Sequence, residues 1–347
     1  MGMYGGKRMR REFRIGKQAG ELCERSAALP QVGGREVCIE LRAISLNYRD
    51  LLYIDSEPAS VGLVPGSDAA GVIVELGQEI TGFRIGDRVM PAFFTTWIEG
   101  RYDVKYRQSA LGGARAGAFA THIVVPASSL VRIPPSVSLR EAACLPCAAV
   151  TAWNALVGRS QVKAGDRVLV QGTGGVSLFA VQIALALGAE PIVLSGSREK
   201  ITRVQQLGVK HCINYREQPN WEDIVYDRTS GRGCDHIVEL IGNTNLSRTT
   251  RCLRPGGVIS YIGCLGGYDG GFNPLDLLYK NATLQAIYVG SRTDLEQTTE
   301  DIQRWGIKPI IDRQRFAFDE IPQAVDFVRR GRHFGKVVVE IGVGEET

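Results

Sequence analysis

The stretch Val168-Leu169-Val170-Gln171-Gly172-Thr173-Gly174-Gly175-Val176-Ser177 decides how the rest of the chain reads. Its first four residues suit a buried strand, its glycines a tight turn, and the apolar residues 178–187 that follow a helix. Strand, glycine turn and helix in that order make a seat for a dinucleotide pyrophosphate. One glycine makes the turn, the next lets the backbone approach the phosphates, and the helix N-terminus supplies unpaired N–H groups and a positive dipole end. The strict fingerprint has a third glycine where this chain has Ser177. A glycine turn can also be a plain connection, so its surroundings must decide.

Beyond the loop, strand patterns at 191–194, 212–215, 236–240 and 258–262 alternate with helical patterns at 198–207, 221–228 and 245–252. That rhythm predicts an α/β unit with a doubly wound, mostly parallel sheet. In this context Gly172, Thr173, Gly174, Gly175 and Val176 become cofactor-binding candidates. The end of the second strand selects the dinucleotide, because an Asp or Glu there would hold the ribose 2′-hydroxyl of NAD(H). Here the residues are Ser195, Gly196, Ser197, Arg198, Glu199 and Lys200. Ser195, Ser197, Arg198 and Lys200 suit a 2′-phosphate that an acid would repel, so NADP(H) is preferred over NAD(H). The plainer reading makes Arg198 and Lys200 solvated charges of a first helical turn, and Glu199 can swing inward.

Upstream of the loop the pattern is mostly β. Residues 36–43, 71–76 and 122–125 read as strands, and Gly86-Asp87-Arg88-Val89 as a turn feeding another. Residues 95–117 are polar, glycine-bearing and without period, which predicts a loop or mobile insertion. Ser138-Leu139-Arg140-Glu141 has capping-box spacing and opens a helix over 142–157. After residue 291 come helical patterns at 295–305 and 321–330 and a last strand at 336–341, which can return to the first domain. The expected division is 1–146 with 292–347, and 147–291.

Composition narrows the function. The 347 residues are 44% apolar and 22% charged, with a net charge of +4. Nothing in that balance calls for nucleic acid or an anionic membrane as partner. The eight cysteines, at 23, 38, 144, 147, 212, 234, 252 and 264, are scattered rather than spaced as a disulfide framework. A reduced, cytoplasmic compartment is expected. The longest apolar region, 168–194, is broken by Gln171, Gln182 and Glu190 and does not read as a membrane span. His122, His211, His236 and His333 share no metal-ligand spacing.

Several stretches together resemble the medium-chain dehydrogenase/reductase superfamily over residues 36–342. They are Ser45-Leu46-Asn47-Tyr48-Arg49-Asp50-Leu51, Val64-Pro65-Gly66-Ser67-Asp68, the residues 117–122 and 142–153, the glycine loop, and His333-Phe334-Gly335-Lys336. The resemblance implies a GroES-like β-rich catalytic domain beside a Rossmann dinucleotide-binding domain. In zinc-dependent relatives the metal is held by a Cys at the position of Asn47, a His at Ser67 and a Cys or Asp at Cys147. Asn and Ser are poor zinc ligands, and one thiolate does not make a catalytic site. The region matching the relatives' structural zinc loop, 91–117, has no cysteine. The expectation is therefore a chain without zinc, in which Cys147 fills space.

Without a Lewis acid, the implied chemistry is hydride transfer from NADPH to a quinone, an enone or a similar carbonyl compound. Asn47 is the candidate donor to the developing negative oxygen, or else simply a helix cap. Tyr48 and Tyr53 can line the cleft, donate a proton or only pack, and Asp50 orients its neighbours. By resemblance Thr151 lies near the nicotinamide and Tyr215 near the adenosine phosphate. Ile241, Gly263, Leu265, Gly290 and Arg292 fall at carboxyl ends of strands, where ligands bind in this architecture. Arg292 or Lys336 would reach a cofactor phosphate or the carboxamide. Residues 283–289 read as an apolar edge strand that relatives pair across a two-fold axis, implying a homodimer; a covered internal edge is the other reading. Alcohol or aldehyde oxidoreduction and a catalytically idle dinucleotide-binding protein are the alternative functions.

Overall fold

A computed structural model describes residues 3–4, 7–56 and 60–342. The chain forms two compact units. One gathers residues up to Ala148, Gly290–Glu300 and those from Lys308 onward; the other gathers Ala149–Val289 and Asp301–Ile307.

The first unit begins with antiparallel strands β1 (Met3–Tyr4), β2 (Lys7–Ile15) and β3 (Leu22–Ala28). Charge hides this hairpin from sequence reading. Glu12 is fully buried in β2, held by Arg10 at 2.6 Å and Arg14 at 2.5 Å, while Phe13 and Ile15 enter the core. The central strand β4 (Glu36–Leu46) leads into helix α1 (Tyr48–Ile54), and β5 (Asp68–Leu76), β6 (Arg88–Pro91), β7 (His122–Pro126) and β8 (Leu130–Arg132) complete this stretch. Alternating buried positions such as Val37, Ile39 and Leu41 in β4 face a core shared with Ile73, Val89, Phe119 and Ile123.

The expected mobile insertion is instead packed. Phe93, Phe94 and Trp97 are buried, Trp97 stacks on Tyr106 at 5.8 Å and 9°, and Tyr102 meets both Phe94 and Trp97. Irregularly spaced aromatics give neither a two-residue nor a 3.6-residue period, so pattern reading could not find this small core.

Ser138 caps α2 (Leu139–Ala142) with the reciprocal Glu141 bond expected of its spacing. The predicted helix over 142–157 is interrupted. Wide π turns at Leu145–Ala149 and Asn154–Gly158 flank α3 (Val150–Trp153).

The second unit alternates β9 (Arg167–Gln171), α4 (Gly175–Ala186), β10 (Glu190–Ser195), α5 (Arg198–Gln205), β11 (His211–Asn214), α6 (Trp221–Arg228), β12 (Cys234–Glu239), α7 (Asn243–Arg251), β13 (Leu253–Tyr261), α8 (Leu275–Leu278) and β14 (Thr283–Ala286). Its six parallel strands lie in the order β11-β10-β9-β12-β13-β14. The chain winds outward from β9 in one direction and from β12 in the other, so the switch point lies between them. After α9 (Arg292–Arg304), β15 (Phe316–Ala317) and α10 (Ile321–Arg329), the last strand β16 (Val337–Glu340) joins the first unit beside β4, giving the order β15-β16-β4-β5-β6-β8 with β7 on β4. Among the described residues no helix is long and apolar enough to cross a membrane.

Candidate functional site

Backbone builds the first part of the site. Gly172, at φ +77°, makes the turn out of β9, and the helix α4 starts at Gly175 with Gly174 as its N-cap. A Cβ on Gly174 would meet no protein atom within 4 Å, leaving an open cradle in front of the first-turn N–H groups. Ser177, the departure from the strict fingerprint, donates its hydroxyl to the Gln171 carbonyl at 2.7 Å and ties helix to strand from inside. Thr173 is buried and Val176 half-buried in the same turn.

Across the switch point, buried side chains shape the facing loop. The Glu239 carboxylate, fully buried, accepts Ile241 N–H at 2.8 Å and Gly242 N–H at 2.9 Å, and also the Gln171 amide at 2.8 Å and the Thr249 hydroxyl at 2.6 Å. Gln171 Oε1 in turn accepts Leu240 N–H at 3.2 Å. Sequence reading missed both residues, because a polar side chain inside a strand looks like an exposed one until its partners are seen.

Ser195 is buried at the end of β10, and Ser197 caps α5 by accepting Lys200 N–H at 3.3 Å. Arg198 pairs with Glu217 at 2.6 Å on the surface, a weak pairing that a phosphate can displace. Tyr215 follows β11 half-exposed, its hydroxyl so close over Gly196 that a Cβ there would meet it at 2.7 Å. Gly263 and Leu265 follow β13, and Thr151 is buried in α3. The residues drawn from 172–265 thus gather at the carboxyl ends of one sheet, a set that fits a dinucleotide.

Gly290, Arg292 and Lys336 belong to the first unit. Arg292 donates to the Leu130 carbonyl at 3.2 Å and pairs with Glu296 at 2.9 Å. Lys336, the other residue expected to reach a cofactor phosphate or the carboxamide, is turned inward. It is 3% exposed, and its Nζ donates to the Leu46 carbonyl at 2.7 Å and to Asn47 Oδ1 at 2.6 Å.

That lysine completes a second cluster, within the first unit, which side chains build. Strand register brings it there: Leu46 pairs with Val337 and Ser45 with Asp68, so Asn47, Ser67 and Lys336 share one end of three adjacent strands. Gly335, at φ +82°, seats the lysine, since a Cβ there would meet the Ile310 carbonyl oxygen at 2.1 Å. Asn47 Nδ2 donates to Ser67 Oγ at 3.2 Å, and Ser67 donates to Asp68 Oδ1 at 2.8 Å. Asp68 Oδ2 accepts Cys147 N–H at 3.2 Å and lies 3.9 Å from Lys336 Nζ. Burial raises the Asp68 pKa above the usual carboxylate range, with the Lys336 charge opposing.

Asn47 is the N-cap of α1, and Asp50 accepts its backbone N–H at 2.8 Å. Capping and the side-chain network therefore coexist at one residue. Asp50 is fully enclosed, and burial pushes its pKa up to about 6 against the pull of Arg49, 3.6 Å away. This supports an orienting part for Asp50. The Arg49 guanidinium lies over the rings of Tyr53 at 5.0 Å and Phe93 at 4.5 Å, while Tyr48 is exposed.

The three positions matching metal ligands offer zinc a poor set. The Asn47 oxygen is occupied by an ammonium group, and the Ser67 hydroxyl donates to a carboxylate. The Cys147 thiol, pushed up to about 12 by burial and by Asp68, is the one customary zinc ligand among the three. Among the described residues no group of three His, Cys, Asp or Glu is placed to hold a metal.

Comparison with known proteins agrees with this geometry at the level of family. Residues 33–135 match the alcohol dehydrogenase GroES-like domain and residues 175–304 the zinc-binding dehydrogenase domain. A zinc-type alcohol dehydrogenase-like protein of Schizosaccharomyces pombe is 41% identical over 315 residues, 88% of this chain and 91% of its own. Homo sapiens quinone oxidoreductase is 29% identical over 316 residues, 88% of each chain. A solved structure from Sinorhizobium meliloti, assigned as an alcohol dehydrogenase, is 40% identical with a TM-score of 0.88, covering 97% of this chain and 100% of that one. With a GroES-like unit, a parallel dinucleotide-type sheet and these relatives, the chain is an oxidoreductase that belongs to the medium-chain dehydrogenase/reductase superfamily.

Proposed function

We propose that the chain is a zinc-independent, NADPH-dependent oxidoreductase that reduces a quinone, an enone or a similar carbonyl compound. The observation that carries the reading is Asn47, a half-buried amide locked between Lys336 and Ser67 where zinc-dependent relatives would place a ligand. When bound, NADPH supplies a hydride with its electron pair. The protein must then hold the oxygen on which negative charge grows. Asn47 Nδ2 carries two hydrogens, donates to Ser67 and also bonds the Asp68 carboxylate, and on this reading one of the two turns to that oxygen when the acceptor is bound. Quinones and enones need little further activation, because their conjugated oxygen takes up the charge. With no metal to lower an alcohol's pKa, alkoxide formation near neutrality lacks a driver, which makes alcohol oxidation the less fitting reading even though the names of relatives carry it.

Gly172, Gly174 and Gly175 with the first turn of α4 would hold the pyrophosphate, and Ser195, Ser197, Lys200 and Tyr215 the 2′-phosphate side. The exposed edge residues Leu278, Tyr279, Leu284 and Tyr288 around β14 support a homodimer, and eight free cysteines support a reducing, cytoplasmic setting. Oxidation of NADPH and NADH should be compared over quinones, enones and aldehydes. The expected result is turnover of quinones or enones with NADPH preferred; preference for NADH, or turnover of alcohols alone, would reject it.

A further inference from the structure

The position matching the relatives' metal is not short of positive charge in this chain. We propose that Lys336 is a positioning residue for the acceptor reaction, its ammonium polarising and orienting the Asn47 amide and so supplying, one bond removed, the charge that a metal supplies in relatives. This inference rests on the reading of Asn47 as donor to the acceptor's oxygen.

Lysine has donors and no acceptor, so only the oxygen of the Asn47 amide can face it. At 2.6 Å the Nζ–Oδ1 bond fixes which way the amide is turned and presents its N–H groups on the other side. Ser67 can accept one of those hydrogens because its own proton goes to Asp68 at 2.8 Å. The bonds therefore run in one direction, from Lys336 to Asn47 to Ser67 to Asp68, and Asp68 closes the circuit 3.9 Å from the ammonium. Each bond in such a chain strengthens the next, by about 10–30%. Of the four side chains only Asn47 is half-exposed; Lys336, Ser67 and Asp68 are buried.

The bond from Nζ to the Leu46 carbonyl, at 2.7 Å, accounts for only part of this arrangement. A buried ammonium is costly to desolvate and requires a buried counter-ion, here Asp68, whereas an apolar side chain ahead of β16 would avoid both demands. The charge is placed where it acts on the amide.

The test compares Lys336→Met, Lys336→Gln, Asn47→Ala and the Asn47→Ala/Lys336→Met pair, reading kcat with an enone or quinone, NADPH dissociation constants by fluorescence, and Tm. Lys336→Met should lower kcat about 10- to 100-fold, with the NADPH constant within about twofold, and Lys336→Gln, which keeps a donor without the charge, should fall between. In the Asn47→Ala background Lys336→Met should add little, since the lysine then has no amide to act on. An equal loss in both backgrounds, unchanged kcat, or failure of both lysine variants to fold would overturn the proposal and assign Lys336 to the fold. If Asn47→Ala keeps full kcat, the reading of Asn47 itself falls; if it loses kcat while Lys336→Met does not, only the role of Lys336 falls.

Discussion

The two candidate sites, one in each unit, are made differently. The candidate dinucleotide cradle is a turn of consecutive residues, Gly172 to Gly175, whose backbone would do the binding. The candidate acceptor cluster is made of side chains from three separate segments, and its shortest bond, Lys336 to Asn47, spans 289 residues of chain. A local backbone device is written contiguously and can be read directly. A side-chain circuit exists only once strand register has been set, and single residues in it look ordinary.

The largest effect should come from breaking the second half at its exposed member. Asn47→Ala should lower kcat/KM for an enone or quinone about 100-fold, the usual loss for one oxyanion donor, with NADPH binding by fluorescence unchanged. If NADPH affinity falls in step, the two halves do not act separately.

The first half is tested by Gly174→Ala. Nothing lies within 4 Å of the added Cβ, so Tm should hold, while the methyl group fills the path of the phosphates. NADPH affinity should fall about tenfold, or about 1.4 kcal/mol. A comparable loss for Lys200→Gln, confined to NADPH and absent for NADH, would sharpen the assignment of the 2′-phosphate side; about tenfold is expected for one charge-assisted contact.

How much was legible follows the same division. Residues 221–228 read to the residue, as Trp221–Arg228, and the β–α alternation is legible from β9 to β13, though not the short helix α8. Periodicity survives there because each element packs against its neighbours in sequence. The β2–β3 hairpin escaped because its buried face includes an Arg10–Glu12 pair, and the 95–117 insertion because its core is aromatic and aperiodic. In the site, Asn47 and Asp50 are visible as candidates, whereas Lys336 stands only beside Arg292 as a residue that would reach a cofactor phosphate or the carboxamide, since a lysine after glycine at a strand start looks like a free cation. Its burial depends on Gly335 and on β16 pairing with β4, neither of which local pattern reveals. Glu239 and Gln171 were missed for the same reason.

The smallest effect concerns Asp50. The folded carboxyl holds its proton up to about pH 6, whereas the unfolded chain releases it near about pH 4. Its contribution to stability is thus complete below the unfolded value and is lost as pH rises through the folded one. Asp50→Asn cannot ionise, so its Tm relative to the parent should improve between about pH 4 and 6 and stay level above. A difference independent of pH would show that the carboxyl is ionised in the fold.

The central claim is that positive charge at the acceptor site comes from Lys336 through Asn47 and not from zinc. Its most direct test is NADPH oxidation with the best quinone or enone, measured on protein of known metal content before and after treatment with a strong chelator. The account predicts a rate unchanged by chelation and by added zinc. Loss of activity on chelation, restored by one equivalent of zinc, would contradict it.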